Sequence, residues 1–310
     1  MKTAREIDIA DYSYPLPEDR IPAYPLPHRA DARQLVYRDG HITHGRFGDL
    51  PDRLPDNTLL IGNHTRVVHA RLHFSPGEGK RPVEVFCLEP LLPHDYALSL
   101  SSTSAVRWKC LIGGNRRWKT GELSLRVGDD LTLYADRGER QDNAFAVIFR
   151  WDSPTPLSFG EVLGRAGNIP LPPYFNREAE AADRERYQTV FASVEGSVAA
   201  PTAGLHFTPE VLEQLEDRGI AWREITLHVG AGTFKPVTAE ALGDHTMYRE
   251  YFSVSTRLLE ELALPLRPRP VVCVGTTSLR CIESLYYLGA QLLHGARPDT
   301  IDIGQWVTED

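Results

Sequence analysis

The chain has 310 residues, of which 42% are hydrophobic and 25% charged, and its formal net charge is −8. This length exceeds what one core of the commonest size uses, and the composition is that of ordinary globular proteins, so we expect two domains and exclude bulk disorder. The negative charge excludes a surface that is basic throughout, so any contact with a nucleic acid must be local.

Neither membrane insertion nor a disulfide framework is indicated by the sequence. No stretch approaches the roughly 20 apolar residues that a membrane helix needs, so we expect a soluble, cytoplasmic protein with no membrane partner. The cysteines form no Cys-x-x-Cys pair and are predicted to be buried thiols; they are Cys87, Cys110, Cys273 and Cys281.

The first half of the chain predicts an arm followed by a β-rich segment. Prolines between Pro15 and Pro27 indicate an extended, ordered arm, and Thr58–Gly62 is typical of a buried strand. From about residue 71 to 150, short β-rich runs separated by glycines predict a small barrel or sandwich. The runs are Val83–Leu88, Leu123–Val127, Leu131–Tyr134 and Ala144–Phe149.

The second half predicts helices alternating with strands. The expected helices are Asp183–Ala192, a segment capped by Thr208 that ends near Gly219, and Ser278–Leu288; the expected strands are Trp222–Val229 and Pro270–Val274. This alternation indicates parallel pairing. We therefore predict a discontinuous α/β domain of residues 1–70 and 151–310, a β-barrel-like domain inserted at 71–150, and a ligand cleft at their seam.

One basic run stands out in this acidic chain. Its cations are Arg107, Lys109, Arg116, Arg117 and Lys119, and Trp108 and Trp118 are interleaved with them. Cations with aromatic side chains between them suit phosphate contacts and base stacking in RNA. The alternative is a solvated basic hairpin whose tryptophans pack inward.

Three segments combine glycines with side chains that titrate or form hydrogen bonds: Val198–Thr208, Thr226–Pro236 and Val274–Arg280. Such loops at strand ends are where α/β sheets bind ligands. His206 and His228 stand beside glycine-rich turns and are candidates for proton transfer. His64, His69 and His73 are closely spaced, but His-Glu-x-x-His is absent and we predict no metal site.

The same segments carry a resemblance to a known family. Val198–Thr208 and Thr226–Pro236 resemble the two most characteristic blocks of the S-adenosylmethionine:tRNA ribosyltransferase-isomerase family, and Gly275–Arg280 with Glu283 resembles a third. Further similar stretches are Tyr24–Pro27, Asn63–Arg71, Ile169–Tyr174 and Asp183–Thr189. The resemblance spans almost the whole chain.

The resemblance implies a transferase and isomerase of queuosine biosynthesis. Such an enzyme moves the ribosyl group of S-adenosylmethionine to 7-aminomethyl-7-deazaguanine in a tRNA anticodon and rearranges it to give epoxyqueuosine, with release of adenine and methionine. His206 and His228 are then the expected catalytic residues, S-adenosylmethionine is a substrate, and no metal is required. The expected cofactor-binding residues are Thr202, Gly204, Phe207, Gly230, Gly232, Thr233, Gly275, Thr276, Thr277, Arg280 and Glu283. The expected tRNA-binding residues are Arg66, Arg71, Arg107, Lys109, Arg116, Arg117 and Lys119.

The sequence departs from the family pattern at His64 and His69, where asparagine and proline are usual, and at Tyr248-Arg249, where histidine and serine are usual. Family members also continue past the position of Asp310 through an Asn-Phe-His-Leu-Pro segment, so we expect ligand binding with slow turnover or none. Two alternatives stay open: a non-catalytic tRNA-binding relative, and an S-adenosylmethionine-dependent enzyme acting on a small molecule. The general base, the tRNA specificity and the oligomeric state are also open.

Overall fold

The computed structural model describes residues 3–75, 77, 79–234, 237–263, 269–297 and 302–307. Its strands are β1 (Arg33–Arg38), β2 (His41–Arg46), β3 (Leu59–Asn63), β4 (Thr65–Val67), β5 (Arg71–Phe74), β6 (Val83–Leu92), β7 (Val106–Gly113), β8 (Glu122–Val127), β9 (Leu131–Gln141), β10 (Ala144–Asp152), β11 (Val194–Ser197), β12 (Ala221–Leu227), β13 (Phe252–Ser253) and β14 (Val271–Cys273). Its α-helices are α1 (Leu50–Arg53), α2 (Tyr96–Ser101), α3 (Phe159–Ala166), α4 (Asp183–Arg186), α5 (Pro209–Asp217), α6 (Thr256–Ala263) and α7 (Thr276–Leu293).

The chain divides into two compact units, which are described separately. The first consists of residues 1–64, 201–227 and 235–310, and the second of residues 65–200 and 228–234. The predicted domain boundaries differ from this division, because β10 continues to Asp152 and the next helix, α3, contributes Phe159, Val162 and Leu163 to the core of the second unit. An independently folding inserted domain at 71–150 stays a prediction.

The first unit contains a four-stranded sheet in the order β13-β12-β3-β14. Strand β3 pairs in parallel with both β12 and β14, whereas β13 is antiparallel to β12. Leu59, Leu60 and Ile61 are almost completely buried, as the central strand of a parallel sheet requires. The predicted parallel α/β arrangement is confirmed for these strands.

The helix after Thr208 follows its predicted capping pattern. The Thr208 hydroxyl accepts a hydrogen bond from the Val211 backbone N–H at 3.3 Å, and Pro209 occupies the first turn of α5. Gly219 then adopts a φ of +71° just past the helix end. A residue without a Cβ tolerates this left-handed conformation at low cost, so the local sequence fixes both ends of α5.

The second unit is built on a six-stranded antiparallel sheet in the order β5-β6-β7-β10-β9-β8. The edge strands β5 and β8 approach each other, so the sheet is nearly closed, as the barrel prediction expected. Alternate residues of β7 and β9 are buried, and Trp108, Leu133 and Phe149 are completely buried. The prediction of a barrel-like β segment is therefore confirmed at this level.

Two predicted elements need correction. The helix expected over Asp183–Ala192 is only α4, because Gln188 instead hydrogen-bonds the backbone N–H and C=O of Val67, both at 2.9 Å. The proline-rich arm is followed by an unpredicted hairpin, in which β1 pairs antiparallel with β2. Across the described ranges, no helix is long and apolar enough to cross a membrane.

Candidate functional site

The carboxyl ends of β12, β3 and β14 lie at one edge of the sheet, because these strands are parallel. Ligands of open α/β sheets bind outside this edge. Gly275 follows β14 with a φ of +93°, and an added Cβ there would lie 3.5 Å from the Cβ of Ala203. The structure thus brings the predicted Thr202 and Gly275 segments together within the first unit.

Gly275 is also the N-cap of the long helix α7. Its first turn contains Thr276 and Thr277 and no acidic residue. The unsatisfied N–H groups and the positive end of the helix dipole therefore favour an anionic group, such as a carboxylate, at this point. One turn later, Arg280 pairs with Glu250 at 2.5 Å, whereas Glu283 is exposed.

The segment around Phe207 is anchored by aromatic packing. Phe207 is 1% exposed and packs edge-on against Phe47 and Trp222, with ring centroids 4.9 and 5.5 Å away. Thr202 is exposed on the same segment, and Gly204 is buried. Phe207 therefore holds in place the segment on which Ala203 approaches Gly275 and Thr202 is exposed.

His206 lies partly in solvent with its ring centroid 5.5 Å from that of Phe47. Partial burial of this ring lowers the pKa of His206 below its ordinary value; a hydrogen bond with the Arg29 backbone acts in the opposite direction, and the positive charge of Arg29 lowers the pKa further. Arg29 is fixed nearby, because its Nη1 donates to the carbonyl oxygen of Leu205 at 2.8 Å. A neutral imidazole can accept a proton at pH 7, which is the property required of a general base.

His228 lies in the second unit, stacked on Tyr96. The ring centroids are 4.1 Å apart and the planes differ by 3°. Gly196 borders the imidazole so closely that an added Cβ would lie 2.4 Å from His228 Nδ1. The next residue is fixed by a hydrogen bond from the Val229 backbone N–H to Ser197 Oγ at 3.0 Å. The position of this imidazole is therefore tightly constrained.

The glycine-rich turn after His228 is partly open. Its Gly230, Gly232 and Thr233 belong to the second unit, and the Thr233 N–H donates to the Gly230 carbonyl oxygen at 3.4 Å. A Cβ at Gly230 would meet no described atom within 4 Å. The last two residues of this sequence block, Lys235 and Pro236, lie outside the described residues.

The structure adds three residues that the sequence reasoning did not combine. His64 Nδ1 lies 2.9 Å from Glu224 Oε2, and His64 Nε2 lies 2.7 Å from Thr226 Oγ1. The three side chains line a cavity of about 470 Å³. About 160 positions separate His64 from Glu224 and Thr226. His64 follows β3 and its two partners lie on β12, so the predicted parallel pairing of strands in this part of the chain could have indicated that they are close.

The tryptophans of the basic run are buried. Trp108 is 0% and Trp118 is 1% exposed, and their indole N–H groups donate to Ser99 Oγ at 2.9 Å and to the Gly121 carbonyl oxygen at 2.8 Å. Their rings are core residues of the second unit and are closed to a nucleobase. The base-stacking interpretation of this run is therefore wrong.

The predicted RNA-binding cations fall into two groups. Some contact acidic side chains of their own sheet: Arg107 with Glu139, Lys109 with Glu89 and Arg71 with Glu84. The others are exposed: Arg66, Arg116, Arg117 and Lys119. Exposed cations bind phosphate without giving up an ion pair. Among the described side chains, no group of three His, Cys, Asp or Glu residues is arranged to hold a metal ion.

Comparison with known proteins gives one family. The model of a family described as "Queuosine biosynthesis protein" matches residues 9–301. An S-adenosylmethionine:tRNA ribosyltransferase-isomerase from Pelobacter propionicus is 40% identical over 278 residues, which cover 89% of this chain and 76% of the relative. A solved structure of an S-adenosylmethionine tRNA ribosyltransferase from Thermotoga maritima is 23% identical, with a TM-score of 0.38 over 89% of this chain and 73% of that one.

Proposed function

The chain belongs to the queuosine biosynthesis protein family, and we propose from this that it is an S-adenosylmethionine:tRNA ribosyltransferase-isomerase. It transfers the ribosyl group of S-adenosylmethionine to 7-aminomethyl-7-deazaguanine in tRNA and isomerises it, which gives epoxyqueuosine, adenine and methionine. The observation that carries this proposal is the 40% identity over 89% of the chain to a relative with this name.

S-adenosylmethionine is proposed to bind at the carboxyl edge of the parallel sheet. The first turn of α7, with Thr276 and Thr277, suits the carboxylate of its methionine part. Thr202 precedes Ala203, which approaches Gly275, and its exposed hydroxyl is proposed to contact the ribose. The other proposed contacts are Gly204, Phe207, Arg280 and Glu283 in the first unit, and Gly230, Gly232 and Thr233 in the second.

His206 and His228 are proposed to transfer the protons of the reaction. The sulfonium acidifies the adjacent ribose 5′ carbon, so a base can start the elimination of adenine, and an acid can protonate the leaving purine. The lowered pKa of His206 suits the base. The stacked ring of His228 is held in one orientation, which suits directed proton transfer.

The tRNA is proposed to contact the exposed cations Arg66, Arg116, Arg117 and Lys119. These side chains can neutralise phosphates in a chain whose net charge is −8. We also propose that the unit with the parallel sheet is the α/β domain assembled from both chain ends and that the six-stranded sheet belongs to the inserted domain.

Adenine release tests the function and separates it from the two alternatives. The protein is incubated with S-adenosylmethionine and tRNA that carries the aminomethyl base, and control reactions contain tRNA with guanine at that position or no tRNA. We expect adenine only with the aminomethyl base. Release without tRNA would indicate a small-molecule enzyme, and tRNA binding without release would indicate a non-catalytic relative.

A further inference from the structure

The hairpin of β1 and β2 presents one whole face to solvent. Side chains two positions apart share a face of a strand, and residues directly opposite each other in an antiparallel pair lie on the same face. The exposed face, which we call the hairpin face, therefore consists of three cross-strand pairs. They are Arg33 with Arg46, Leu35 with His44, and Tyr37 with Ile42, and all of these residues are exposed.

The opposite face of the hairpin packs against α1. Arg38 Nη2 donates to the carbonyl oxygen of Arg53 at 2.8 Å. The guanidinium of Arg53 also lies against Gly45, where it leaves no room for a Cβ. Gln34 and Val36, on the same side of β1, are half-buried. This packed face holds the hairpin in the first unit, so the hairpin face is available for another role.

The part of the hairpin face nearest the turn is apolar and aromatic. Leu35 is 61%, Tyr37 70% and Ile42 60% exposed. Large apolar side chains that lie side by side in solvent are unfavourable and mark binding surfaces more often than single exposed residues do. The flat ring of Tyr37 offers a surface on which a planar group can stack.

The other end of the hairpin face is cationic. Arg33 and Arg46 lie directly opposite each other, and like charges in this position repel. Asp31 contacts Arg46 through its carbonyl oxygen at 2.8 Å and its carboxylate at 3.9 Å, but both side chains are more than half exposed, so this pair offsets little of the repulsion. An anion bound by both guanidinium groups would remove it.

The composition of the hairpin also favours a polyanion. Residues 33–46 contain three arginines and a single acidic residue, Asp39, whereas acidic residues outnumber Lys and Arg by 42 to 34 in the whole chain. A nucleic acid carries a phosphate with every flat base, which matches cations beside an exposed aromatic ring. A second copy of this chain fits less well, because a symmetric contact would bring the arginines of the two copies together.

We propose that the hairpin face binds a single-stranded segment of the substrate tRNA, with an unpaired base stacked on Tyr37 and a backbone phosphate bound by Arg33 and Arg46. The inference rests on the proposed function and adds a tRNA contact in the first unit. Bases inside an RNA helix are stacked on each other, whereas loop bases can turn out onto an aromatic side chain. Four strand positions, or about 13 Å, separate Tyr37 from Arg33, so one extended segment of RNA can reach both.

The test measures the affinity of tRNA bearing the aminomethyl base by fluorescence anisotropy. Loss of one base stack costs about fivefold to a hundredfold in affinity, so Tyr37→Ala should bind that much more weakly, and Tyr37→Phe should bind like the parent. Tyr37→Leu keeps an apolar partner for Ile42 but has no ring, so it should bind as weakly as Tyr37→Ala. The double variant Arg33→Ala, Arg46→Ala should lower the salt slope by roughly 0.7 for the phosphate that it no longer neutralises.

Matched controls remove similar side chains elsewhere in the first unit. Tyr286 of α7 is as exposed as Tyr37, and the side chains of Arg249 and Arg257 are exposed like those of the hairpin arginines. Tyr286→Ala should keep the affinity of the parent, and the double variant Arg249→Ala, Arg257→Ala should keep its salt slope. A blunt RNA duplex should bind equally to the parent and to Tyr37→Ala, because its bases are already stacked.

A Tyr37→Ala or Tyr37→Leu protein that binds tRNA as tightly as the parent would overturn the proposal, as would a parent that binds no tRNA. Equal losses for tRNA and duplex would contradict base stacking. Sedimentation tests the other occupant: a parent dimer that Tyr37→Ala dissociates, with tRNA affinity unchanged, would assign the face to a second copy. Adenine release is measured separately. If tRNA binding depends on Tyr37 but the parent releases no adenine, the proposed catalytic function fails and the hairpin contact stands.

Discussion

The two sheets of this protein use the same kinds of side chain in opposite ways. In the six-stranded antiparallel sheet, Trp108 and Trp118 are buried, and Lys109 is paired with an acidic neighbour. On the parallel sheet, Trp222 of β12 lines a cavity, and His64, which follows β3, joins two polar side chains that line the same cavity. The difference comes from strand direction as much as from composition.

In an antiparallel sheet, neighbouring side chains on one face pair across the strands, and polar groups satisfy each other there. The parallel strands β3, β12 and β14 instead all end at one edge, where backbone N–H groups and the following loops are available to a ligand. The tryptophans of the antiparallel sheet therefore stabilise the fold, and we expect the residues at the carboxyl edge of the parallel sheet to contact the ligand.

The largest expected effect is on stability. Trp108→Ala removes a completely buried ring and its hydrogen bond to Ser99, so the free energy of unfolding should fall by about 3–5 kcal/mol. Trp222→Ala should cost less, because Trp222 is only partly buried. Urea unfolding measures the free energy of unfolding of both variants. Equal losses of stability would contradict the claim that only the tryptophans of the antiparallel sheet serve mainly to stabilise the fold.

A methyl group at Gly196 should displace His228. Its Cβ would lie 2.4 Å from His228 Nδ1, and a shift of about 1 Å in a reacting group costs on the order of a hundredfold in rate. Gly219→Ala is the control: φ there is also positive, but a Cβ would meet no described atom within 4 Å. Single-turnover adenine release is the measurement, and matching rates for the two variants would show that His228 needs no fixed position.

Gly275→Ala should weaken S-adenosylmethionine binding by about tenfold, because the φ of +93° is strained for alanine and the N–H groups of α7 would move. Gly289→Ala in the same helix should leave the affinity unchanged and raise stability by about 0.5–1 kcal/mol, since a Cβ there meets no described atom within 4 Å. Titration calorimetry measures the affinity of both variants for S-adenosylmethionine. An unchanged affinity for Gly275→Ala would remove α7 from the ligand site.

The triple variant Arg116→Ala, Arg117→Ala, Lys119→Ala should weaken tRNA binding and lower the salt slope by roughly 0.7–0.9 per lost phosphate contact. The double variant Arg107→Ala, Lys109→Ala removes cations that already have acidic partners and should change the slope less. Filter binding from 50 to 300 mM salt measures both. A larger change in the double variant would reverse this assignment.

The smallest effect concerns pH. The folded-state pKa values of His69 and His206 lie below the ordinary histidine value, chiefly because of burial. Between the folded and unfolded pKa values the unfolded chain binds more protons, so the stability these groups contribute is present above the unfolded pKa and lost as pH falls through the folded pKa. His69→Gln should therefore flatten the fall in unfolding free energy below pH 6.5, and an unchanged slope would contradict this.

The sequence predicted those features that depend on local signals. The apolar run at β3, the capping residues of α5 and the alternation of strands and helices all describe short stretches, and the structure confirms them. Partners distant in sequence were missed. Gln188 bonds to the backbone of Val67 and ends α4 early, and His64 meets Thr226 across more than 160 positions. Such contacts arise from tertiary packing, which local propensity does not contain.

The predicted site residues also divide into those set by local signals and those set by tertiary packing. Glycines with positive φ, such as Gly275, could be placed at a loop because only the local backbone requires them. The role of Trp108 depended on the direction in which a strand faces, and nothing in the basic run fixes that direction. One-residue changes of register reverse such an assignment.

S-adenosylmethionine labelled with ¹³C in the ribose tests the central claim most directly. After reaction with tRNA bearing 7-aminomethyl-7-deazaguanine, the tRNA is digested and its nucleosides are examined by mass spectrometry while adenine and methionine are quantified. We expect labelled epoxyqueuosine in the tRNA and equal amounts of free adenine and methionine. Adenine release with no label in the tRNA, or label in a tRNA that lacks the aminomethyl base, would contradict it.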